Sequence, residues 1–461
     1  MTQSFDTPEQ IRYSESVGTI QGIYRHLQWQ LRQMFPGLLA RLGTVYESTT
    51  IVAMKNATAC VNSAFVQENP KTFDESRNKL PAEKYPAKVV LLTNCIPPYV
   101  LPVLQHLADS LESFRVLLST PMESDRPWQP KWDGVEVIIQ RTITFKHNRI
   151  YNEDINASTF THFPLDVLPL LFCLGPDVVI SAQLGFRTLQ SVIYRCPHRN
   201  SRLVIWADLS EHSEKRIGRI LTGVRRFLLR YADAVLVNGA SGSSYIRRLG
   251  VPKERIVEAP YTTNIDPFLA VPLTRDGPNA RRLLYVGRLV EIKGLELFLP
   301  VLFDWATKHT EEYCEFWLVG DGPLRHGLEQ LEAPANVKLK FFGDVPYARL
   351  AEYYAHAGIL VLPSLSETWG LVVSEAMAAG LVVLGSRYSA AVNELVRDDM
   401  NGWTFCPDRP DDLRRALERA MSTPLPSLDE MREAARKSVS RITPEYVAGR
   451  FLQAICVAMN Q

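Results

Sequence analysis

Short apolar runs alternate with helical patterns along most of the chain. From Lys88 onward the runs are VVLLT, FRVLLST, VEVII, PDVVIS, RLVIW and ADAVLVNG, and helical patterns such as Val103–Leu111 lie between most of them. Because these runs are apolar almost throughout, both faces of each strand are expected to be buried, as in a parallel sheet covered by helices. The pattern predicts a doubly wound α/β domain.

A second series of the same kind begins after residues 262–280, a segment with prolines and asparagines that we interpret as the interdomain connection. Its strand-like runs are RLLYVG, FWLVGDG, VKLKFFG, GILVLP, LVVLGS and GWTF. The series predicts another parallel α/β unit. Two such domains that face each other bind ligands in the crevice at the carboxyl ends of their strands.

The two ends of the chain lie outside these series. Residues 20–42 place apolar side chains at helical spacing, interrupted at Pro36-Gly37, and the polar segment 67–88 is typical of a linker. We interpret the helices as packing on the protein, with a membrane-interface helix as the alternative. The expected organisation is a helical extension and linker (1–80), an acceptor domain (81–265), a donor domain (266–443) and a C-terminal helix (444–461) that packs on either domain.

Composition narrows the function classes. The chain has 461 residues with 51 Lys+Arg and 50 Asp+Glu, so its near-neutral balance gives no reason to expect a nucleic-acid partner. The 7 cysteines are scattered without metal-ligand spacing, which is typical of reduced thiols in a cytoplasmic protein. The start MTQSFDTPEQ does not resemble a secretory signal, and no stretch has the ~18 apolar residues of a spanning helix. We therefore expect a cytoplasmic protein, with peripheral contact at the inner face of a membrane as an open alternative.

The segment SLSETWGLVVSEAM, which follows the run GILVLP, carries the most informative chemistry. A helix is predicted to begin near Gly370, so that Glu367 lies in the loop and Glu375 about one turn inside the helix. Free N–H groups at the helix start form a site for a diphosphate. Carboxylates on each side of that site suit the hydroxyl groups of a sugar nucleotide, whereas ordinary stabilisation of the helix dipole is the competing interpretation for Glu375.

Two cations follow the run RLLYVG, in the segment RLLYVGRLVEIKG. Arg288 and Lys293 lie in one loop and at the start of a helix, where a positive charge opposes the dipole unless an anion binds there. Together with the carboxylate segment, they predict a diphosphate-binding pair. Solvated surface charge is the alternative.

A third segment, VGDGP, follows the run FWLV. It lacks the third glycine of a dinucleotide fingerprint, so we interpret it as a tight turn that lines the nucleotide side. The chain has no Walker A sequence, no His-Glu-x-x-His and no Gly-x-Ser-x-Gly, so kinase and hydrolase functions lose their usual support.

Taken together, these segments closely resemble the donor domain of retaining glycosyltransferases of family four, the group 1 enzymes with the GT-B fold. The segments are YVGRLVEIKG, FWLVGDGP, KFFGDVPYARLAEYYAHAGILVLPSLSETWGLVVSEAMAAG and NELVRDDMNGWTF. The resemblance is strong over about 282–421 and looser from about Lys88. It includes the seven-residue spacing between the two glutamates.

The resemblance implies a role for each matching residue. Arg288 and Lys293 would bind the donor diphosphate, Glu367 would contact the transferred sugar and Glu375 would bind the ribose. Further substrate contacts are expected from Gly287, Thr368, Trp369, Gly370 and Leu371. The family needs neither metal nor cofactor, and its reaction retains the anomeric configuration, with the nucleotide diphosphate sugar as donor substrate.

Two departures concern the acceptor side. The first loop reads Asn94-Cys95-Ile96-Pro97-Pro98-Tyr99, where such enzymes often have paired glycines. Many members also have a histidine after the strand that corresponds to RLVIW, whereas this chain has Asp208 there and His212 later. Asp208 is a candidate substrate contact, with a helix N-cap as the alternative.

A basic amphipathic helix is predicted in the acceptor domain. Its apolar stripe comprises Ile217, Ile220, Leu221, Val224, Phe227, Leu228 and Tyr231, and six Lys and Arg side chains at positions 215, 216, 219, 225, 226 and 230 occupy the remaining surface. Such a helix suits anionic lipid head groups, and an ordinary covering helix of the sheet is the alternative.

The leading hypothesis is sugar transfer to a saccharide or lipid-linked acceptor in glycan or exopolysaccharide assembly. A non-catalytic sugar-nucleotide-binding protein of the same fold is one alternative, although such a copy is expected to have lost Glu367, Arg288 or Lys293. A phosphorylase or epimerase is another. The sequence leaves the base, the sugar and the acceptor open.

Overall fold

The computed structural model describes residues 84–461 apart from 124–128, 153–154 and 215–216. The helical extension and most of the linker expected within 1–88 lie outside these residues, as do Lys215 and Arg216 of the basic helix. The described residues belong to one compact unit.

The first domain is built on a seven-stranded sheet in the order β3-β2-β1-β6-β7-β8-β9, in which every neighbouring pair is parallel. Its elements in chain order are β1 (Tyr85–Thr93), α1 (Leu101–Ser110), β2 (Leu111–Leu118), β3 (Glu136–Ile139), β4 (Thr142–Asn152), β5 (Ile155–Pro164), α2 (Val167–Leu174), β6 (Val178–Ala182), α3 (Phe186–Arg195), β7 (Arg202–Ala207), α4 (Arg219–Leu229), β8 (Ala234–Val237), α5 (Ala240–Arg248) and β9 (Ile256–Glu258).

The second domain is built on a six-stranded parallel sheet in the order β12-β11-β10-β13-β14-β15. After the short helix α6 (Asp266–Leu269), its elements are β10 (Leu283–Val286), α7 (Leu295–Lys308), β11 (Cys314–Val319), α8 (Arg325–Glu329), β12 (Val337–Gly343), α9 (Leu350–Ala355), β13 (Ile359–Leu362), α10 (Leu371–Ala378), β14 (Val382–Ser386), α11 (Ala390–Leu395), β15 (Gly402–Phe405), α12 (Pro410–Ser422) and α13 (Leu425–Val439). The two parallel sheets confirm the predicted α/β fold class.

The apolar runs became strands because both of their faces are buried. All residues of β6, β8, β10, β13 and β14 are buried. Each sheet separates two apolar clusters that lie on its opposite faces, between the strands and the covering helices. This burial of near-continuous apolar strands is the main source of stability expected for such a sheet.

The last helix, α14 (Pro444–Met459), packs on the first domain rather than the second. Its buried face includes Phe451, whose ring meets Trp206 edge-on at 5.1 Å between centroids. The sequence left either domain open for this helix, because an apolar face alone does not specify its partner. The chain therefore crosses between the domains twice.

The antiparallel hairpin of β4 and β5 was not predicted. The segment is mixed in polarity, and Ile143 and Phe145 on β4 are 45% and 57% exposed, so it lacks the apolar run that marked the other strands. The hairpin leaves the first sheet, and β5 lies against the short turn Glu291–Lys293 of the second domain.

Candidate active site

The candidate donor site lies where the strand order of the second sheet reverses. Strands β10 and β13 are neighbours there, and the chain proceeds from them to opposite edges of the sheet. Such a switch point leaves a crevice at the carboxyl ends of the strands. The loop after β10 carries Arg288 and Lys293, and the loop after β13 carries Glu367 and leads into α10.

Backbone contacts join these two loops directly. The N–H of Leu365 donates to the carbonyl of Ile292 at 2.9 Å. Gly294 has φ 70°, and a Cβ added there would lie 2.2 Å from the carbonyl oxygen of Pro363. Only glycine allows both the left-handed conformation and this close approach. The loop pair is therefore fixed by backbone geometry.

This approach brings two of the predicted catalytic side chains together. The Lys293 ammonium donates a hydrogen bond to the Glu367 carboxylate, and the two side chains are 18% and 20% exposed. The pair thus lies in a partly open crevice, where both groups remain accessible to a ligand. A contact between residues 74 positions apart is a property of the fold that the sequence did not reveal.

Arg288 lies at the mouth of the same crevice and is exposed. Its carbonyl accepts a hydrogen bond from the Tyr285 hydroxyl at 2.7 Å, and the N–H of Leu289 donates to the carbonyl of Asp321 at 2.9 Å. Gly287, at the end of β10, donates its N–H to the carbonyl of Val319 at 2.9 Å. The segment VGDGP therefore supports the backbone of the loop that carries Arg288.

The start of α10 lies next to the Lys293–Glu367 pair. Gly370, with φ 103°, precedes Leu371, the first residue of the helix. In the first turn the N–H of Val373 donates to the carbonyl of Gly370 at 3.0 Å, so the N–H groups of Leu371 and Val372 are the donors available to an anion. Thr368 is half-buried. The side chain of Trp369 is 4% exposed and packs in the apolar core, so this predicted substrate contact lies beneath the loop.

Glu375 lies deeper than its predicted role requires. It is 3% exposed, and its carboxylate accepts hydrogen bonds from the hydroxyls of Tyr354, at 3.0 Å, and Tyr347. Burial raises the pKa of Glu375 to about 7, while the two hydroxyls oppose that shift. Tyr347 also contacts Thr263 in the interdomain connection at 2.7 Å. Nothing in the sequence marked either tyrosine as a partner of this carboxylate.

Asp208 lies in the first domain, directly after β7. Its carboxylate accepts hydrogen bonds from Asn238 at 2.6 Å and from the Tyr261 hydroxyl at 3.1 Å. Burial raises the pKa of Asp208, and the charge of Glu367 acts in the same direction, so the two carboxylates share an electrostatic environment. The N-cap alternative is wrong, because α4, the next described helix, does not begin until Arg219.

A cavity of about 160 Å³ lies beside Asp208 in the first domain. It occupies the switch point of the first sheet, between the ends of the neighbouring strands β1 and β6. Its lining comprises three aromatic rings (Tyr99, Trp206 and Tyr261), two carboxylates (Glu123 and Asp208), two amides (Asn94 and Gln183) and smaller or apolar residues. Rings combined with carboxylates and amides suit a ligand with apolar faces and several hydroxyl groups.

Contacts across the domain boundary reach the loop of Glu367. The His212 ring stacks on Tyr388 at 3.9 Å between centroids, and its Nε2 is 3.2 Å from the carbonyl of Leu365. Glu394 of α11 accepts a hydrogen bond from the N–H of Ser241, at the start of α5, at 3.3 Å. The sequence marked His212 only as a displaced histidine. Its contact with the donor loop is a finding of the structure.

Two features are absent from the described part of the chain, a metal-binding group of side chains and a membrane-spanning helix. No group of three or more His, Cys, Asp or Glu side chains there is arranged to bind a metal ion. None of the helices within that part combines the length and apolar character needed to cross a membrane.

Comparison with known proteins shows which sequences the second domain resembles. Residues 275–438 match the family "Glycosyl transferases group 1". The uncharacterized glycosyltransferase MJ1607 of Methanocaldococcus jannaschii is 31% identical over 144 residues, which are 31% of this chain and 36% of that protein. The sulfoquinovosyl transferase SQD2 of Arabidopsis thaliana is 28% identical over 230 residues, 48% of this chain and 43% of the relative. The matches thus span between about a third and a half of these relatives.

Solved structures extend the similarity to both domains. The sucrose-phosphate synthase of Thermosynechococcus elongatus has a TM-score of 0.58 at 18% identity, covering 81% of this chain and 98% of its own. Anabaena Alr3699/HepE in complex with UDP and glucose has a TM-score of 0.57 at 15% identity, covering 80% and 99%. At these identities the likeness establishes the fold. The chain has the two-domain GT-B fold, and its second domain belongs to the glycosyl transferases group 1 family.

Proposed function

We propose that this protein is a retaining, metal-independent glycosyltransferase. It transfers a sugar from a nucleotide diphosphate sugar to a saccharide or a lipid-linked saccharide during glycan or exopolysaccharide assembly. The observation that carries the proposal is the contact between Lys293 and Glu367 in the switch-point crevice beside the start of α10. A cation, a carboxylate and helix N-terminal N–H groups are thus neighbours in this crevice.

The diphosphate is proposed to bind between the two loops. Arg288, Lys293 and the N–H groups at the start of α10 supply positive potential from two sides, which is the charge compensation that Mg²⁺ provides in many other transferases. The diphosphate would compete with Glu367 for the Lys293 ammonium. In this proposal the Lys293–Glu367 pair of the free protein opens when the donor binds.

Glu367, released from Lys293, is then available to the hydroxyl groups of the transferred sugar. The acceptor hydroxyl attacks the anomeric carbon from the side on which the diphosphate leaves. The bond from that carbon to the phosphate oxygen breaks, the bond to the acceptor oxygen forms, and the leaving phosphate oxygen takes the acceptor proton. Attack from the leaving-group side retains the configuration and needs no covalent protein intermediate.

Glu375 is proposed to bind the ribose from the floor of the crevice. Its hydrogen bonds from Tyr354 and Tyr347 fix the carboxylate in place, so both tyrosines are part of the proposed nucleotide pocket. The acceptor is proposed to enter from the cavity of the first domain, beside Asp208. The complex of the Anabaena protein with UDP makes uridine nucleotides the first donors to test.

The test is a thermal-shift screen with nucleoside diphosphates and their sugars, since a ligand that binds only the folded protein raises its melting temperature. We expect one nucleotide series to stabilise the wild-type protein, also in the presence of EDTA, and Lys293→Met to lose most of that shift. The matched control is Lys308→Met, at the far end of α7, whose ammonium pairs with the exposed Asp304. It is expected to behave like the wild type.

Product analysis separates the proposal from its alternatives. NMR of the product is expected to show the same anomeric configuration as the donor, and inversion would contradict the proposed mechanism. Binding of a sugar nucleotide without turnover over a broad acceptor panel would favour a non-catalytic binding protein. Release of a sugar phosphate or an altered donor sugar would favour a phosphorylase or an epimerase.

We also propose that α4 contacts anionic lipid head groups. Ile220 and Leu221, at the start of this helix, are 74% and 44% exposed, and the neighbouring Arg219 and Arg226 are exposed as well. Apolar side chains among cations suit a membrane surface. The protein is expected to sediment with anionic vesicles at low salt. The doubly substituted Ile220→Ser, Leu221→Ser protein is expected to remain in solution. Equal sedimentation of the wild type and the variant would contradict the proposed lipid contact.

A further inference from the structure

Arg187, at the start of α3, is a buried cation next to the cavity of the first domain. It is 5% exposed, and it reaches across the carboxyl ends of three neighbouring strands. Its guanidinium donates to the carbonyl of Ala182 at the end of β6 (3.4 Å), to the side chain of Asn94 after β1 and to the Ser119 hydroxyl after β2 (2.9 Å). All three acceptors are neutral, so no carboxylate compensates this charge within the described part of the chain.

A second buried arginine shows what a purely structural guanidinium looks like in this protein. Arg275 is 6% exposed and donates to five backbone carbonyls, which belong to Pro272, Thr274, Tyr354, Ala357 and Ala379. Arg187 has fewer acceptors, and its Nε has no hydrogen-bond partner among the residues that the structure describes. It also lies in the first turn of a helix, where the dipole disfavours a cation. Its placement therefore has a cost that Arg275 does not incur.

The hydrogen bond from Arg187 determines which atom of the Asn94 amide is available to a ligand in the cavity. A guanidinium can only donate hydrogen bonds, so Asn94 must turn its carbonyl oxygen, Oδ1, towards Arg187. The amide nitrogen, Nδ2, is then the atom of Asn94 left for other partners. Because Asn94 lines the cavity, this NH₂ group is a donor at the cavity wall with an uncompensated positive charge behind it.

The lining of the same cavity also includes two carboxylates. Asp208 and Glu123 both line it, and their carboxylates repel anions and accept hydrogen bonds from hydroxyl groups. Tyr99, Trp206 and Tyr261 provide apolar walls. The cavity therefore offers both an amide donor backed by a cation and carboxylates that accept hydrogen bonds from hydroxyl groups.

We propose that the acceptor carries an anionic oxygen group, a carboxylate or a phosphate, which binds the Asn94 amide with Arg187 behind it. The hydroxyl groups of the same sugar point towards Asp208 and Glu123, and its apolar face lies on the aromatic rings. The acceptor is thus an acidic or phosphorylated saccharide. This assignment rests on the proposed function, in which the first domain binds the acceptor.

Calorimetric titration with glucuronate, glucose 6-phosphate and glucose tests this assignment at constant ionic strength. We expect one or both anionic sugars to bind roughly tenfold or more tightly than glucose, because a charge-assisted hydrogen bond replaces a neutral one. A preference for glucuronate alone identifies a carboxylate site, and one for glucose 6-phosphate alone identifies a phosphate site. Equal binding of all three sugars, or no binding of any, would overturn the proposal.

Asn94→Asp is the decisive variant. Its carboxylate still accepts the hydrogen bond from Arg187, so the protein is expected to fold, but the NH₂ donor is lost and the guanidinium charge is compensated. The preference for anionic sugars should disappear. Asn200→Asp adds the same charge at an exposed turn before β7, at the amino end of that strand and therefore away from the cavity. This variant should keep the preference for anionic sugars. An unchanged preference in Asn94→Asp would refute the assignment even if Arg187→Met fails to fold.

The donor site needs a separate control, since its cations also attract anions. Lys293→Met is expected to keep the preference for anionic sugars, whereas loss of the preference in this variant would place it at the donor site and refute the assignment. The nucleotide screen gives the independent readout. If nucleotides stabilise the protein and the sugars do not differ, the acceptor assignment fails alone. If anionic sugars bind selectively and no nucleotide does, the proposed function fails while the site remains.

Discussion

The second domain forms its part of the cleft from two loops joined by backbone contacts, whereas the first domain forms its cavity from side chains that follow several strands. On the donor side, Gly294 packs against the carbonyl of Pro363, and Lys293 meets Glu367. On the acceptor side, Asn94, Arg187 and Asp208 come from three separate parts of the chain.

This difference predicts how each of the two sites responds to amino-acid substitution. The proposed donor site is formed by contiguous segments whose backbone geometry fixes the charged groups, so it can be recognised as a pattern in the sequence. The proposed acceptor cavity depends on single side chains from separate segments, and those that lie in loops are the most open to change. The donor side should therefore respond to substitution by losing chemistry, and the acceptor side by changing selectivity.

The largest effect is expected from Glu367→Gln. Loss of the carboxylate that faces the sugar should reduce kcat by about 10²–10³-fold, the range seen when one group that stabilises a transition state is removed. The nucleotide-induced thermal shift should remain, because Arg288 and Lys293 are intact. Glu329→Gln, on the exposed face of α8, is the matched control. Transfer at the wild-type rate would break the proposed division of roles between the two domains.

Asp208→Asn should act on the acceptor side alone. Asparagine has one acceptor oxygen where the carboxylate has two, so one of the donors, Asn238 or Tyr261, loses its partner at a cost of about 1–3 kcal/mol. We expect a higher KM for the acceptor and an unchanged nucleotide-induced thermal shift. A loss of nucleotide binding in this variant would show that the two sides are not separable.

Glu375→Gln should change the pH dependence of stability. Burial raises the pKa of Glu375 in the folded protein to about 7, above the ordinary value of 4.5. The folded state therefore favours the protonated form, and the wild type loses stability as the pH rises from about 4.5 to 7. Glutamine does not ionise, so the free energy of unfolding of the variant relative to that of the wild type should rise by on the order of 2–3 kcal/mol between pH 4.5 and a pH above 7.

Chemical denaturation of both proteins between pH 4 and pH 8 measures this difference. The difference between the two free energies of unfolding should change in favour of the variant as the pH rises from about 4.5 to 7. Glu352→Gln, an exposed partner of Arg349, serves as the control. A constant difference across the range would show that Glu375 does not titrate there.

The smallest effect is expected from His212→Ala, which removes one of the contacts between the domains. The lost hydrogen bond to the Leu365 carbonyl and the lost stacking on Tyr388 should together cost about 1–2 kcal/mol of stability. Turnover should fall only a few-fold, because Glu367 remains supported by the contacts within its own domain. His326→Ala, on the exposed surface of α8, is the control. A loss as large as that of Glu367→Gln would show that the first domain positions the catalytic loop.

The fold class and the sequence segments of the proposed donor site could be predicted from the sequence alone. Near-continuous apolar runs are buried on both faces wherever they occur, so the two parallel sheets followed from local pattern. The spacing from Glu367 to Glu375 follows from a loop that leads into a helix, which is also local. It did not reveal the β4–β5 hairpin, because mixed polarity and exposed side chains give no strand signal.

Only the tertiary structure decided which distant groups meet. The partners of Glu367, Glu375 and Asp208 are Lys293, Tyr354 and Tyr261, and each lies at least 21 positions away. The same holds for α14, whose apolar face fits the first domain, and for Arg187 behind Asn94. Such contacts depend on the order of the strands in each sheet and on how the loops approach one another at the ends of the strands. The local periodicity of the sequence does not specify that order.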